Sequence, residues 1–153
     1  MASRSSANDE RILLKIITAN TNGIRAAARK GFFSWIRAEA PDILCIQETK
    51  AQEHQLPPEA LDLDGYHYAF VDAEKKGYSG VAIYSRTAPD RVVRGLGWPD
   101  IDAEGRYVQA DFGNLCIASL YVPSGTSGPA RSKLPLVLML YARKPLIKTK
   151  AAP

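Results

Sequence analysis

The chain has 153 residues, the size of one ordinary domain, and its 46% hydrophobic and 24% charged residues read as a soluble globular protein, not a disordered or membrane-spanning one. A formal net charge of +4 leans only weakly toward an anionic partner. The two cysteines, Cys45 and Cys116, each lie inside an apolar run; they argue against a disulfide scaffold or a cysteine zinc site and are expected as buried thiols in a reducing, cytoplasmic setting.

Residues 1–10 are polar and mixed in charge, with no apolar core of a secretory signal, and are expected to form a disordered tail. No apolar stretch is long enough to cross a bilayer, so no membrane partner is expected. Ile12 to Thr18 reads as a strand ending near Asn20, followed by a turn at Asn22-Gly23. "AAARKGFFSWIRAEA" predicts a helix with Phe32, Phe33 and Ile36 on one face, stopped by Pro41. "DILCIQ" is a second strand, and its unbroken apolar run implies cover on both faces. "LPPEALDL" predicts one or two helical turns with Pro58 near the start.

Beyond Gly65 the chain turns β-rich. "YHYAFVDA", "GVAIYS", "RVVRGL", "RYVQADF" and "NLCIASLYV" predict short strands, with turns at Lys76-Gly77, Ala88-Pro89-Asp90 and Gly113-Asn114. A β-meander is thus expected after a β-α-β opening. "SGTSGPARSK" reads as a loop. In the last segment, Pro135 and Pro145 bracket nine residues, room for one strand. Residues 11–131 are expected to form the folded domain and residues 132–153 a divergent tail that agrees poorly with what precedes it.

Four clusters fall at predicted strand ends: Asn20 to Gly23, Gln47 to Lys50, Gly77 to Gly80, and Tyr121 to Gly125. Ligands of open α/β sheets gather at such ends. A carboxylate with amides offers hard oxygen donors, suited to Mg²⁺. The residues alone leave other readings open. A carboxylate after a strand is ordinarily solvated, Tyr78 and Tyr121 are ordinary packing residues, and His54 and His67 have no neighbours for a triad. "GYSG" is too short for a nucleotide-binding loop.

"NTNGIR", "PDILCIQETK", "KKGYSGVAIYSR", "DAEGRYV" and "SLYVPSG" occur in this order with suitable spacing. Together they closely resemble the exonuclease III / apurinic-apyrimidinic (AP) endonuclease family of the endonuclease/exonuclease/phosphatase superfamily. The resemblance implies an α/β fold: roughly the N-terminal half of a four-layer α/β sandwich, mostly one mixed β-sheet with flanking helices. On that reading all five main strands share one sheet, and one face of it lies bare, favouring self-association. The resemblance further implies a Mg²⁺ ligand at Glu48 (Mn²⁺ as a substitute), with Asn20 lining the metal and phosphate site and Asn22 close by. Tyr121 would face the scissile phosphate, making Glu48, Asn20 and Tyr121 the catalytic set. Arg25, Arg29, Lys30, Lys50, Gly77 and Tyr78 would contact DNA.

The implied partner is double-stranded DNA, especially abasic sites and 3′ ends, with no obligate protein partner. The implied reactions are AP-site incision and 3′→5′ exonuclease action on duplex DNA. The family's Gly-Asp-x-Asn and Ser-Asp-His motifs are not found, and no Asp, Glu or His follows Asp111. Without those groups to activate water, this chain is expected to turn over very slowly, or to act as a catalytically dead DNA- or metal-binding remnant. The basic "IRAAARK" segment and "GYSG" favour DNA over a phosphomonoester or lipid headgroup.

Overall fold

A computed structural model describes residues 13–122 and the backbone of 136–143. The first sheet holds β1 (Ile16–Asn20), β2 (Ile43–Gln47), β3 (His67–Val71) and β4 (Val81–Ser85) in the order β1-β2-β4-β3. β1 runs parallel to β2 through the helices α1 (Ile24–Arg29) and α2 (Phe32–Glu39), and the other pairs are antiparallel. The second sheet is an antiparallel meander of β5 (Arg91–Arg94), β6 (Tyr107–Phe112), β7 (Leu115–Val122) and β8 (Leu136–Arg143). Short helices α3 (Pro58–Leu61) and α4 (Pro99–Asp102) each begin with proline, whose fixed φ suits a first helical position.

β2 shows why the layers stack as they do. All five of its residues are buried. Side chains alternate across a strand, so Leu44 and Ile46 join the helix-side core with Ile24, Phe33, Ile36 and Tyr84. Ile43 and Cys45 point the other way, into a core shared with Val108, Ala110 and Ile117 of the second sheet. Cover on both faces, expected from the unbroken apolar run, is therefore met. The Tyr84 hydroxyl, carried inward with its ring, donates to the Ala60 carbonyl at 2.9 Å.

The α/β class, the mixed sheet and the flanking helices match the expectation. The single sheet does not. "YVQADF" and "LCIASLYV" lie in the second sheet, because both edges of β4 are already taken by β2 and β3. The chain leaving β4 cannot pair beside it and crosses to the opposite layer, where Val108, Ala110 and Ile117 pack on Ile43, Cys45 and Ile83. The inner face of the first sheet is covered by this same chain, so the bare face behind the expected self-association is absent. Two smaller differences also have local causes. The expected helix is two, broken at Gly31 in a left-handed conformation (φ 85°). β1 begins at Ile16, the residue paired with the start of β2, and Leu13 and Leu14 are exposed. No disulfide links the cysteines; Cys45 is buried and Cys116 half-buried. Among the described residues no helix is long and apolar enough to cross a membrane. The expected disordered tail (1–10) and the loop after Val122 lie outside the described residues.

Candidate active site

The site forms where β1 and β2 end side by side, with Asn20 in register with Gln47. Beyond Gln47 the backbone leaves strand geometry, with Glu48 at φ 52° and Lys50 at φ 48°. Such left-handed non-glycine residues persist only where their surroundings over-determine them. Here the loop is clamped from both sides. Gly23 N–H donates to Glu48 O at 2.8 Å and Ile24 N–H to Thr49 O at 2.9 Å, while Thr49 N–H donates to Gly80 O at 3.1 Å and Lys50 N–H to Ser79 O at 2.8 Å. Two sequence-distant segments thus hold the loop that carries the carboxylate.

Glu48 is 9% exposed. Asn20 Nδ2 donates to its Oε1 at 2.8 Å, and Lys50 Nζ pairs with its Oε2 at 3.1 Å. The Tyr121 hydroxyl also donates to this carboxylate. Burial pushes the Glu48 pKa up, but the three donors and the nearby Lys50 charge outweigh it and hold the acid below its ordinary range. Tyr121 responds in the opposite sense. Burial, then its bond to the anionic Glu48, pushes its pKa up to about 12, against the pull of the Arg106 guanidinium. At neutral pH the pair is a carboxylate and a neutral phenol.

Tyr121 reaches Glu48 from the second sheet. Buried Gln47 donates from Nε2 to Ser119 Oγ at 2.9 Å, and Ser119 Oγ donates to Ile46 O at 3.1 Å. Ser119 and Tyr121 share one face of β7, since residues two apart on a strand do. This cross-sheet bond therefore sets the height at which the phenol meets the carboxylate. Gln47 stands in one of the four strand-end clusters but was given no role, and Ser119 was not singled out; a buried glutamine closing an apolar strand is the signal for such a tie.

Asn20, Glu48 and Tyr121 are brought together as expected. Asn20 Oδ1 accepts the Asn22 N–H at 2.9 Å. Its amide is thereby oriented: the carboxylate requires a donor on one side and the N–H an acceptor on the other. Asn22 in turn accepts a short hydrogen bond from Lys50 Nζ. Among the described residues no three His, Cys, Asp or Glu gather as a metal cluster. What is present is one ionised carboxylate with spare lone pairs and one amide oxygen. That donor set fits a hard cation such as Mg²⁺, which takes one or two carboxylates and fills its shell from water and substrate phosphate.

The basic residues divide. Arg25 and Arg29, four apart on α1 and so on one face, line a groove of about 460 Å³ with Gly23, Lys50 and Gly77. Lys50 joins that groove to Glu48. Lys30 lines a separate hollow of about 440 Å³ with Phe32, Trp35 and Asn22. Tyr78 turns toward Arg106, whose Nη2 donates to its hydroxyl at 2.6 Å, and Lys75 Nζ lies 5.5 Å from its ring centroid. Arg106 and Lys75 were not singled out in the sequence. A charged residue entering an apolar strand, as in "EGRYV", is the signal that could have found the first. Pro123, Ser124 and Gly125 lie outside the described residues.

A layered α/β sandwich of two sheets, with an acidic centre and a basic groove at its strand ends, is the class of protein these elements define. The chain belongs to the Endonuclease/Exonuclease/phosphatase family, whose model matches residues 17–150. It is 37% identical over 144 residues to an exodeoxyribonuclease of Bacillus subtilis, covering 88% of this chain and 56% of that protein. It is 38% identical over 120 residues to the DNA repair nuclease APEX1 of Danio rerio, covering 77% of this chain and 39% of that protein. The structure resembles an AP endonuclease from Archaeoglobus fulgidus with a TM-score of 0.62 at 35% identity, covering 72% of this chain and 42% of that one. It also resembles a 3′ phosphatase from Neisseria bound to product DNA hairpin, with a TM-score of 0.64 at 28% identity, covering 76% of this chain and 45% of that one. The chain spans about half the length of the curated relatives it matches. Nucleases of this family depend on a metal ion.

Proposed function

We propose that this chain carries the cation- and DNA-contacting part of a Mg²⁺-dependent DNA-repair phosphodiesterase of the exonuclease III type, with Mn²⁺ as a substitute metal. The observation that carries the reading is the Glu48 carboxylate, kept ionised by Asn20, Lys50 and Tyr121, with Lys50 linking it to the groove of Arg25, Arg29 and Gly77. The substrate is duplex DNA at abasic sites and 3′ ends, and the compartment is the cytoplasm.

Glu48 would hold the metal, and Asn20 would orient that carboxylate and lend its amide oxygen. When bound, the metal offsets charge on the phosphoryl and leaving oxygens. Arg25, Arg29 and Lys50 hold backbone phosphates in the groove. Such contacts position a duplex without reading its sequence, as damage recognition requires. Tyr121 presents a protonated phenol, a donor able to stabilise developing oxyanion charge.

One observation favours a second reading, binding without turnover. Among the described residues no three His, Cys, Asp or Glu gather around a metal position, so Glu48 is not part of a carboxylate-histidine cluster there. Lack of a positioned base lowers rates by roughly 10²–10⁴-fold.

The test is cleavage of an abasic-site duplex by the purified chain, with Mg²⁺ and with chelator. Slow, Mg²⁺-dependent incision lost in Glu48→Gln supports the first reading; duplex binding with no product supports the second. Calorimetry provides the companion measurement. Glu48→Gln should weaken Mg²⁺ binding roughly tenfold or more, the loss of one charge-assisted contact. Equal affinity in both forms would remove Glu48 from the metal site.

A further inference from the structure

Arg106 is only 7% exposed, yet it is charged and stands where β6 begins. Its Nε is paired with the Glu104 carboxylate. Its Nη2 donates to the Tyr78 hydroxyl at 2.6 Å and its Nη1 to the Tyr121 carbonyl at 3.5 Å. The guanidinium carbon lies 5.5 Å from the Tyr78 ring centroid and 5.2 Å from that of Tyr121. One planar cation therefore touches both tyrosines of the site. A buried guanidinium already neutralised by Glu104 is poorly placed to receive a phosphate itself. Its geometry fits a strut.

The hydrogen-bond chemistry sharpens this. Arginine has donors only, so the Tyr78 oxygen is the acceptor and its own O–H remains free for an acceptor outside, such as a phosphate oxygen. Tyr121 is held at its carbonyl and against its ring, leaving its hydroxyl on Glu48. Lysine could supply the charge but neither the planar stacking surface nor two divergent donors.

We propose that Arg106 is a positioning residue that ties Tyr78, at the DNA-contacting loop, to Tyr121, at the Glu48 carboxylate, so that phosphate contact at one phenol sets the position of the other. The proposal rests on the DNA reading above.

Fluorine NMR of the full chain carrying fluorotyrosine tests it, with Tyr78→Phe and Tyr121→Phe assigning the two resonances. In the unsubstituted chain, a short duplex should shift both. In Arg106→Lys and Arg106→Gln, both resonances should already differ without DNA, and Tyr121 should no longer respond when the duplex is added. Duplex affinity should fall roughly threefold to tenfold, the scale of one charged hydrogen bond. Tyr78→Phe removes the one hydroxyl that accepts from Arg106 and faces the phosphate, so it should uncouple Tyr121 in the same way even if the Arg106 variants do not fold. Arg25→Ala should weaken binding yet leave the coupling intact. A Tyr121 resonance that still follows the duplex in Arg106→Lys or Tyr78→Phe overturns the proposal alone. Failure of the unsubstituted chain to bind duplex, read by fluorescence anisotropy, overturns the DNA reading and this proposal with it.

Discussion

Gly80 packs against the site loop so closely that adding one methyl group should disturb both stability and the carboxylate. It precedes β4 at φ 87°, and a Cβ built on it would fall 2.0 Å from Thr49 Oγ1, 3.4 Å from Thr49 Cβ and 3.6 Å from the Val71 carbonyl oxygen. Two costs follow for Gly80→Ala. A left-handed backbone costs a non-glycine residue about 1–2 kcal/mol. The overlap with Thr49 adds about 1–3 kcal/mol, typical of overpacking. Thr49 cannot swing aside freely, since it is fully buried and β-branched side chains are stiff at χ1. The sum, about 2–5 kcal/mol, is a large share of the 5–15 kcal/mol that holds an ordinary domain together. Denaturant unfolding of a double-mutant cycle with Thr49→Ala separates the two costs. Removing Oγ1, which is buried without a hydrogen-bond partner, should relieve the overlap and leave only the backbone cost. A coupling of about 1–3 kcal/mol is therefore expected. Strict additivity, or a Gly80→Ala chain as stable as the parent, would refute the reasoning.

Arg25→Ala and Lys50→Ala together should flatten the salt dependence of duplex binding, each lost phosphate contact removing about 0.9 from the logarithmic slope; an unchanged slope would place the DNA contact outside the groove. Stability should decline as pH rises above the ordinary phenol range, because Tyr68, Tyr84, Tyr107 and Tyr121 are all raised by burial first, Tyr121 to about 12. The unfolded chain loses these protons near pH 10 while the fold retains them, so each unit above that favours unfolding. Tyr121→Phe should lessen the decline between 10 and about 12, as followed by alkaline unfolding midpoints. In a Cys116→Ser background, Cys45 should resist a disulfide reagent until the chain unfolds, since burial raises its thiol pKa to about 12 and leaves it 0% exposed; rapid modification of the native protein would contradict the packing between the sheets.

What the sequence determined by itself is local. Runs such as "ILCIQ" and "VAIYS" declare strands because β-branched and apolar residues suit a pleated, buried surface, and both sit where expected. Asn22-Gly23 and Gly77 declare turns, and the family resemblance carried by the ordered motifs, not the clusters by themselves, implies Glu48, Asn20 and Tyr121. The tertiary structure decided what depends on residues far apart in the chain. Whether β5 joins the first sheet or lies in a second one is set by packing against distant residues such as Ile43, Cys45 and Ile83, and no local pattern records that. Lys30 is one residue from Arg29, but a helix turns about 100° per residue, and the neighbouring elements give each its own hollow. Arg106 reads locally only as a charge at the start of a strand; its meaning comes from Tyr78 and Tyr121, which the loop before β4 and the end of β7 bring against it. The left-handed Glu48 and Lys50 are likewise unreadable locally, since only hydrogen bonds to Gly23 and Ser79 hold them in a conformation their own backbones disfavour.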